Sequence, residues 1–122
     1  MDGGLTLAEN IADNGGLLAS IKGYELWRTK ANQKEAAAAE AARALPGLEF
    51  LNDDQLLFLG FARSFCSKSK KEAAEIQLKT DSHSPDHSRI NLALANMPAF
   101  AKAFKCSSMD TLAQPEKRCS LW

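Results

Sequence analysis

The sequence lacks an excess of charge of either sign, and it lacks any long apolar run. Its 122 residues contain 15 Lys and Arg against 15 Asp and Glu, so there is no basic field to attract nucleic acid. No apolar run approaches the ~20 residues that span a bilayer, and residues 1–4 have neither the basic nor the apolar part of a signal peptide. We therefore predict no nucleic-acid partner, and no signal or transmembrane segment within these residues.

Cysteine is also scarce. The three thiols, Cys66, Cys106 and Cys119, are an odd number, so at least one is free or has a partner outside the chain. Their spacing is too wide for a zinc-finger pair or a redox pair. The count is equally consistent with three buried structural thiols in a cytosolic protein, and composition leaves this choice open.

The sequence contains no H-E-x-x-H zinc-protease motif. His83 and His87 are four residues apart, but Pro85 interrupts the helix that would bring both rings to one side. We therefore interpret His87 as an ordinary surface residue. Ser84 and Ser88 have no triad partner that their spacing supports, so catalysis by a serine nucleophile is not predicted.

The fold class predicted from the sequence is all-α, because no segment shows the alternation typical of strands. Thr6 is the predicted N-cap of a first helix, in which apolar residues recur at helical spacing. The glycines at 15 and 16 predict a kink or a break in that helix, since each costs ~1 kcal/mol relative to alanine. Residues 31–45 are rich in Ala, Glu and Lys, which predicts a solvated helical extension or a disordered insert.

Further helices are predicted in the second half of the chain. One begins after Asn52, with Gln55 at the capping-box position, and its apolar residues on nearly every face predict burial. Residues 80–88 should form a loop, and residues 107–122 an irregular tail. The other predicted helices span residues 72–79, 89–95 and 98–104, the last with Pro98 at its first position.

Two carboxylates lie one helical turn apart near the start of the chain. Glu9 and Asp13 share a helix face, where they repel each other by a few tenths of a kcal/mol unless a cation lies nearby. The pair is therefore a candidate metal ligand with a second carboxylate behind it. In the alternative interpretation, Thr6 and Glu9 form a capping box, and Glu9 bonds only to the backbone at the helix start.

A longer pattern contains this acid pair. GLTLAENIADNGGL at residues 4–17 resembles the zinc-ligand segment of the neprilysin and endothelin-converting-enzyme family of zinc metalloendopeptidases. The resemblance covers nearly the whole chain apart from the Ala-rich insert. It continues in order through LPGL at 45–48, DQLLFLGFA at 54–62, EIQLKTDSHSP at 75–85, NMPAF at 96–100 and PEKRCSLW at 115–122.

The resemblance implies a role for five residues. Glu9 corresponds to the third protein ligand of a catalytic Zn²⁺, and Asp13 to a carboxylate that orients a ligand histidine. His83 corresponds to a histidine that stabilises the oxyanion, and Arg89 to an arginine that binds the peptide backbone of the substrate. Phe65 and the serine before it replace an apolar–tryptophan pair that helps line the first primed substrate pocket, which suggests either a changed preference for bulky side chains or a neutral substitution.

By the same resemblance, residues 1–122 are the C-terminal part of a neprilysin-type peptidase domain that acts on peptide substrates. The zinc helix with both histidine ligands and the general base lies upstream in the family, so this chain alone should neither hold zinc nor cleave peptides. The family counterparts of Cys66, Cys106 and Cys119 pair with cysteines in that N-terminal part. Such disulfides imply an extracellular protein or a plasma-membrane ectodomain.

The contrasting hypothesis is a short, non-catalytic gene product that acts as a helical secreted binding or decoy module. An H-E-x-x-H motif encoded upstream in the same transcript would distinguish the peptidase from this alternative.

Overall fold

Residues 2–35 and 45–107 are described in a computed structural model, and these residues form helices and loops with no strand. The all-α prediction is confirmed for this part of the chain. Within the same ranges, no helix is long and apolar enough to cross a membrane. Residues 36–44 and the predicted tail beyond residue 107, with Cys119, lie outside the description. The helices are α1 (Gly3–Glu35), α2 (Asp53–Ser64), α3 (Lys71–Thr80), α4 (Asp86–Ala95) and α5 (Pro98–Ala103).

Helix α1 continues through the two central glycines, so the helix does not break there, whereas the alternative prediction of a kink stays a prediction. Two glycines cost about 2 kcal/mol relative to alanine. Leu17 and Ile21, directly after them, are buried in the core, and each such burial contributes about 1.5–3 kcal/mol. Burial of these two side chains therefore outweighs the low helix propensity of the glycines.

Helix α1 also begins earlier than predicted. The Asp2 carboxylate oxygen Oδ1 accepts hydrogen bonds from the backbone N–H of Gly4 at 2.8 Å and of Leu5 at 3.4 Å. Asp2 therefore caps the helix, and the prediction of Thr6 as N-cap is wrong. Thr6 lies inside the first turns, where its hydroxyl donates to the Asp2 carbonyl at 3.2 Å. Glu9 is thus available for contacts other than a capping box.

The capping box predicted at the start of α2 is confirmed. Asn52 Oδ1 accepts from the Gln55 backbone N–H at 2.9 Å, and Gln55 Oε1 accepts from the Asn52 N–H at 3.0 Å. The prediction of burial on nearly every face was too broad. Only Phe58 of this helix is fully buried, with 2% of its surface exposed, whereas Leu59 is 45% exposed.

The remaining helices lie within one residue of the predicted bounds except at one boundary. Helix α4 begins at Asp86, three residues earlier than predicted, so the connecting loop is shorter and covers residues 81–85. Pro85 precedes the helix with φ −53° and ψ 142°, a conformation that its ring favours. Asp86 then places a negative charge in the first turn, where the helix dipole favours it. Pro98 opens α5 as predicted.

The core lies where α1, α2 and α5 meet α4. Aromatic rings on α2 and α5 extend it, with the Phe58 and Phe100 centroids 5.4 Å apart in an edge-to-face arrangement. The packing of α4 on α1 places the loop at residues 81–85 beside the first turns of α1. The fully buried apolar residues are Leu17, Ile21, Phe58, Ala93, Leu94, Met97 and Ala103.

We expect Phe58→Ala to lower the free energy of unfolding by roughly 3–5 kcal/mol, because it leaves a cavity among the rings of α5. The loss should appear as a shifted urea midpoint in far-UV circular dichroism. Leu59→Ala is the matched control at the next position and should cost less than about 1 kcal/mol. Equal losses in the two variants would contradict the described core.

Candidate active site

The site is built from two segments that lie more than seventy positions apart in the chain. Glu9 and Asp13 lie one turn apart on α1, and His83 and Arg89 come from the loop at residues 81–85 and the first turns of α4. The structure brings all four side chains together. His83 reaches Glu9, and Arg89 reaches Asp13.

His83 is held between two carboxylates. Its Nε2 lies 3.3 Å from Glu9 Oε2, and its Nδ1 lies 2.9 Å from Asp81 Oδ1. The same Asp81 oxygen accepts the backbone N–H of His83 at 2.9 Å. These bonds, led by the one from the backbone, lower the pKa of Asp81 below its usual value. Asp81 therefore stays ionised at neutral pH, and Nδ1 of His83 carries the proton of their hydrogen bond.

Arg89 and Asp13 form a bidentate ion pair. Nε of Arg89 donates to Asp13 Oδ2 and Nη2 donates to Oδ1, both at 2.7 Å. The two side chains are only 17% and 10% exposed. The hydrogen bonds to Asp13 raise the pKa of Arg89 above its usual value, although burial alone would lower it.

Phe65 completes the surroundings of Arg89. The guanidinium carbon of Arg89 lies 4.7 Å from the centroid of the Phe65 ring, which is a cation–π distance. Phe65 is the C-cap residue of α2, so a third helix contributes to the site. The planar group is therefore held at one edge by a carboxylate and covered on one face by a ring.

A row of partly buried hydrogen bonds runs beside these side chains. Asn10 Oδ1 accepts the hydroxyl of Ser84 at 2.8 Å, and Asn10 Nδ2 donates to Thr6 Oγ1 at 3.2 Å. One turn further, Asn14 Oδ1 accepts from Asn96 Nδ2 at 2.8 Å. We call these five residues the polar seam between α1 and α4.

The Glu9 carboxylate has one oxygen that no described residue contacts by a hydrogen bond or an ion pair. This oxygen is Oε1, and the carboxylate is partly exposed. Across residues 2–35 and 45–107, no group of three His, Cys, Asp or Glu is arranged to hold a metal ion. A catalytic zinc needs three protein ligands, so the described residues alone do not provide such a site.

Two of the three thiols lie among the described residues. Cys66 is exposed and Cys106 is partly buried, and neither forms a disulfide among the described residues. Their pairing with cysteines elsewhere stays a prediction, as does that of Cys119. His87 is exposed, in agreement with its interpretation as a surface residue.

Comparison with known proteins decides the family. The family model of peptidase family M13 matches residues 1–121. The chain belongs to peptidase family M13. It is 40% identical over 122 residues to Neprilysin-1 of Caenorhabditis elegans, and 42% identical over 117 residues to Neprilysin of Homo sapiens. It is 38% identical over 122 residues to an endothelin-converting enzyme homolog of Locusta migratoria.

These matches use nearly all of this chain but little of each relative. They cover 100%, 96% and 100% of the chain, and only 15%, 14% and 15% of the three relatives' own lengths. The chain thus spans about one seventh of the curated relatives that it matches. The expected membership of the neprilysin and endothelin-converting-enzyme family is confirmed.

Three residues that hold this M13 site together were not singled out as site residues from the sequence. Asp81 is two residues before His83, a spacing at which an Asx side chain commonly bonds the backbone ahead of it. Asn10 directly follows Glu9, and Ser84 directly follows His83, so each lies next to one residue of the acid–histidine contact. The four-residue spacing of Thr6, Asn10 and Asn14 was the available signal for a polar face.

We expect Asp13→Asn to lower the free energy of unfolding by about 2–4 kcal/mol, because it leaves a shielded guanidinium without its counter-charge. Arg28 and Asp54 offer a matched control, since their 2.9 Å ion pair is 35% and 49% exposed. Asp54→Asn should cost less than about 1 kcal/mol in the same urea titration. Similar losses of unfolding free energy in the two variants would show that burial does not strengthen the ion pair between Arg89 and Asp13.

The lowered pKa of Asp81 predicts that its contribution to the free energy of unfolding depends on pH. Because the folded-state pKa lies below the usual 3.8, this contribution is complete above that value and disappears as pH falls through the lower, folded pKa. The difference in unfolding free energy between the unsubstituted chain and Asp81→Asn should therefore shrink on acidification below 3.8. Urea titrations at a series of pH values measure it. A difference independent of pH would contradict the assignment.

Proposed function

We propose that residues 1–122 form the C-terminal part of the catalytic domain of a zinc-dependent endopeptidase. The observation that supports this most directly is the convergence of Glu9, Asp13, His83 and Arg89 from two distant segments. Membership of family M13 makes peptide-bond hydrolysis the expected chemistry. In this proposal the chain supplies one metal ligand and the groups that bind and polarise the substrate. The other two ligands and the general base come from the upstream part of the parent protein.

Glu9 is the proposed zinc ligand. It presents a carboxylate with one oxygen near His83 and the other without a hydrogen bond from the described residues. Zn²⁺ bound there would polarise a substrate carbonyl and bring the pKa of a bound water to about 7. Asp13 uses two of its four lone-pair sites on Arg89, which leaves acceptor capacity for the N–H of a ligand histidine.

His83 is the proposed oxyanion donor. Because Asp81 holds the proton on Nδ1, Nε2 can donate a hydrogen bond only when the ring is the imidazolium cation. Asp81 and Glu9 contact the two ring nitrogens and so fix the position of the ring. An N–H donor held in this position would suit the negative oxygen of a tetrahedral intermediate, where loss of one donor costs roughly 3 kcal/mol.

Arg89 is the proposed substrate-binding residue, and Phe65 lies beside it. A guanidinium has five N–H groups, and Asp13 accepts two of them. The remaining donors suit a backbone carbonyl of a bound peptide. Because the Phe65 ring covers one face of Arg89, a substrate side chain that approaches there meets an apolar ring rather than a charge. We infer a preference for apolar side chains at that position.

The cysteines and the location of the parent follow from the same proposal. Cys66 is exposed, as expected of a thiol whose partner lies in another part of the molecule. Disulfides from Cys66, Cys106 and Cys119 to the upstream part would place the parent outside the cell or on a plasma-membrane ectodomain.

A chimera tests the proposal. Residues 1–122 replace the corresponding C-terminal segment of an active family member, and zinc content and chelator-sensitive cleavage of a fluorogenic peptide are measured. We expect an active chimera, and we expect Glu9→Gln to remove both zinc and activity. The loss should exceed the roughly 10–100-fold caused by loss of a residue that only supports a ligand. Arg89→Ala should mainly raise KM.

Glu25→Gln is the matched control, since Glu25 lies on the same helix away from the cluster. It should keep both zinc and activity. Normal zinc content in the Glu9→Gln chimera would refute the ligand assignment. Chelator-sensitive cleavage by residues 1–122 alone would refute the shared site, and an inactive but folded, zinc-loaded chimera would favour a non-catalytic binding module.

A further inference from the structure

We propose that Asn10 and Ser84 are positioning residues that set the distance between the Glu9 carboxylate and the His83 imidazole. The importance of that distance for catalysis rests on the proposed function, whereas the structural role does not. Ser84 directly follows His83, and Asn10 directly follows Glu9. The hydrogen bond from Ser84 Oγ to Asn10 Oδ1 at 2.8 Å therefore joins the two backbones beside the 3.3 Å contact.

Burial makes this hydrogen bond a strong constraint. Ser84 is 1% exposed and is the most deeply buried polar side chain among the described residues. Water cannot easily replace a partner that is lost at such a position, so the Ser84 hydroxyl bonds to Asn10 or remains unsatisfied. The loop at residues 81–85 is thereby tied to one turn of α1 and cannot shift along it without breaking the bond.

The Asn10 carboxamide has only one orientation that satisfies its neighbours. Its Nδ2 donates to Thr6 Oγ1 at 3.2 Å, while its Oδ1 accepts from Ser84. Thr6 is 2% exposed, and its hydroxyl proton is used by the Asp2 carbonyl. If the Asn10 oxygen and nitrogen exchanged places, the Asn10 NH₂ group would face the Ser84 hydroxyl instead of accepting from it. The Thr6 oxygen would also lose the N–H donor that it now accepts. The acceptor for Ser84 is thus oriented by contacts within the start of α1.

The loop side of the bond is restrained as well. Pro85 follows Ser84 and disfavours a helical backbone there, which restricts the backbone of Ser84. Asp81 controls a different property, because its two bonds to His83 set the orientation of the ring. Asp81 therefore aims the imidazole, and the bond between Ser84 and Asn10 sets its distance from α1. No other described hydrogen bond of the loop sets the distance of the imidazole from α1.

The test uses the full 122-residue chain without metal. Nuclear Overhauser cross-peaks between the His83 ring protons and the Glu9 side-chain methylene protons report the separation directly. We expect Ser84→Ala to lose most of this cross-peak intensity, because the effect falls steeply with distance. If Ser84→Ala does not fold, Ser84→Cys takes its place, since the thiol has a similar volume but is only a weak donor.

Asn14→Ala is the matched control within the polar seam. It removes the hydrogen bonds of Asn14 to the Asn10 carbonyl and to Asn96, on the same face of α1 but away from the contact. It should destabilise the chain while keeping the cross-peak. An unchanged cross-peak in the Ser84 variant, or an equal loss in Asn14→Ala, would overturn the proposal, since either result reduces the bond to a general structural role.

The chimera provides a second readout. In it, Ser84→Ala should lower kcat by about 100-fold, the cost of a misplacement of roughly 1 Å, with little change in KM. A rise in KM with unchanged kcat would overturn the positioning role. A chimera that is inactive even without the substitution would count against the proposed function alone, because the cross-peak experiment on the metal-free chain still decides the structural role.

Discussion

The continuity of α1 is the constraint on which the rest of the structure depends. Glu9, Asp13, Leu17 and Ile21 follow one another at intervals of four and so form one row along the helix. The first two contact His83 in the loop at residues 81–85 and Arg89 on α4, and the last two enter the core. A break at residue 15 or 16 would separate the polar end of this row from its apolar end. Core packing could then no longer determine where the acids lie.

A neighbouring row on the same helix consists of Thr6, Asn10 and Asn14, which are the α1 members of the polar seam. Polar and charged residues therefore face α4 near the start of α1, and apolar residues face it further on. The apolar part supplies most of the binding energy between the helices, since burial of area is not directional. Hydrogen bonds and the bidentate pair of Arg89 require exact partners, and they specify which turn of α1 faces which turn of α4.

Sequence reasoning was most successful where a local signal determines a local structure. The capping box at Asn52 and Gln55 and the proline that opens α5 were identified correctly because each acts within one turn. The break predicted at the central glycines does not occur, because the burial of Leu17 and Ile21 depends on helices far along the chain. The four charged or titratable site residues were found through the family resemblance. Asp81 and Ser84 were not, because their roles depend on the conformation of a five-residue loop.

That loop carries a further consequence. Between residues 81 and 85, Asp81 bonds forward to His83, Ser84 is anchored to α1, and Pro85 has a fixed φ at the start of α4. Ordering a flexible side chain on association commonly costs about 0.5–1.5 kcal/mol. In this loop, folding has already ordered the His83 side chain, so a ligand that contacts it does not have to order it. The affinity of that ligand then depends on how well its own atoms fit the site, and not on an entropic cost of ordering the protein.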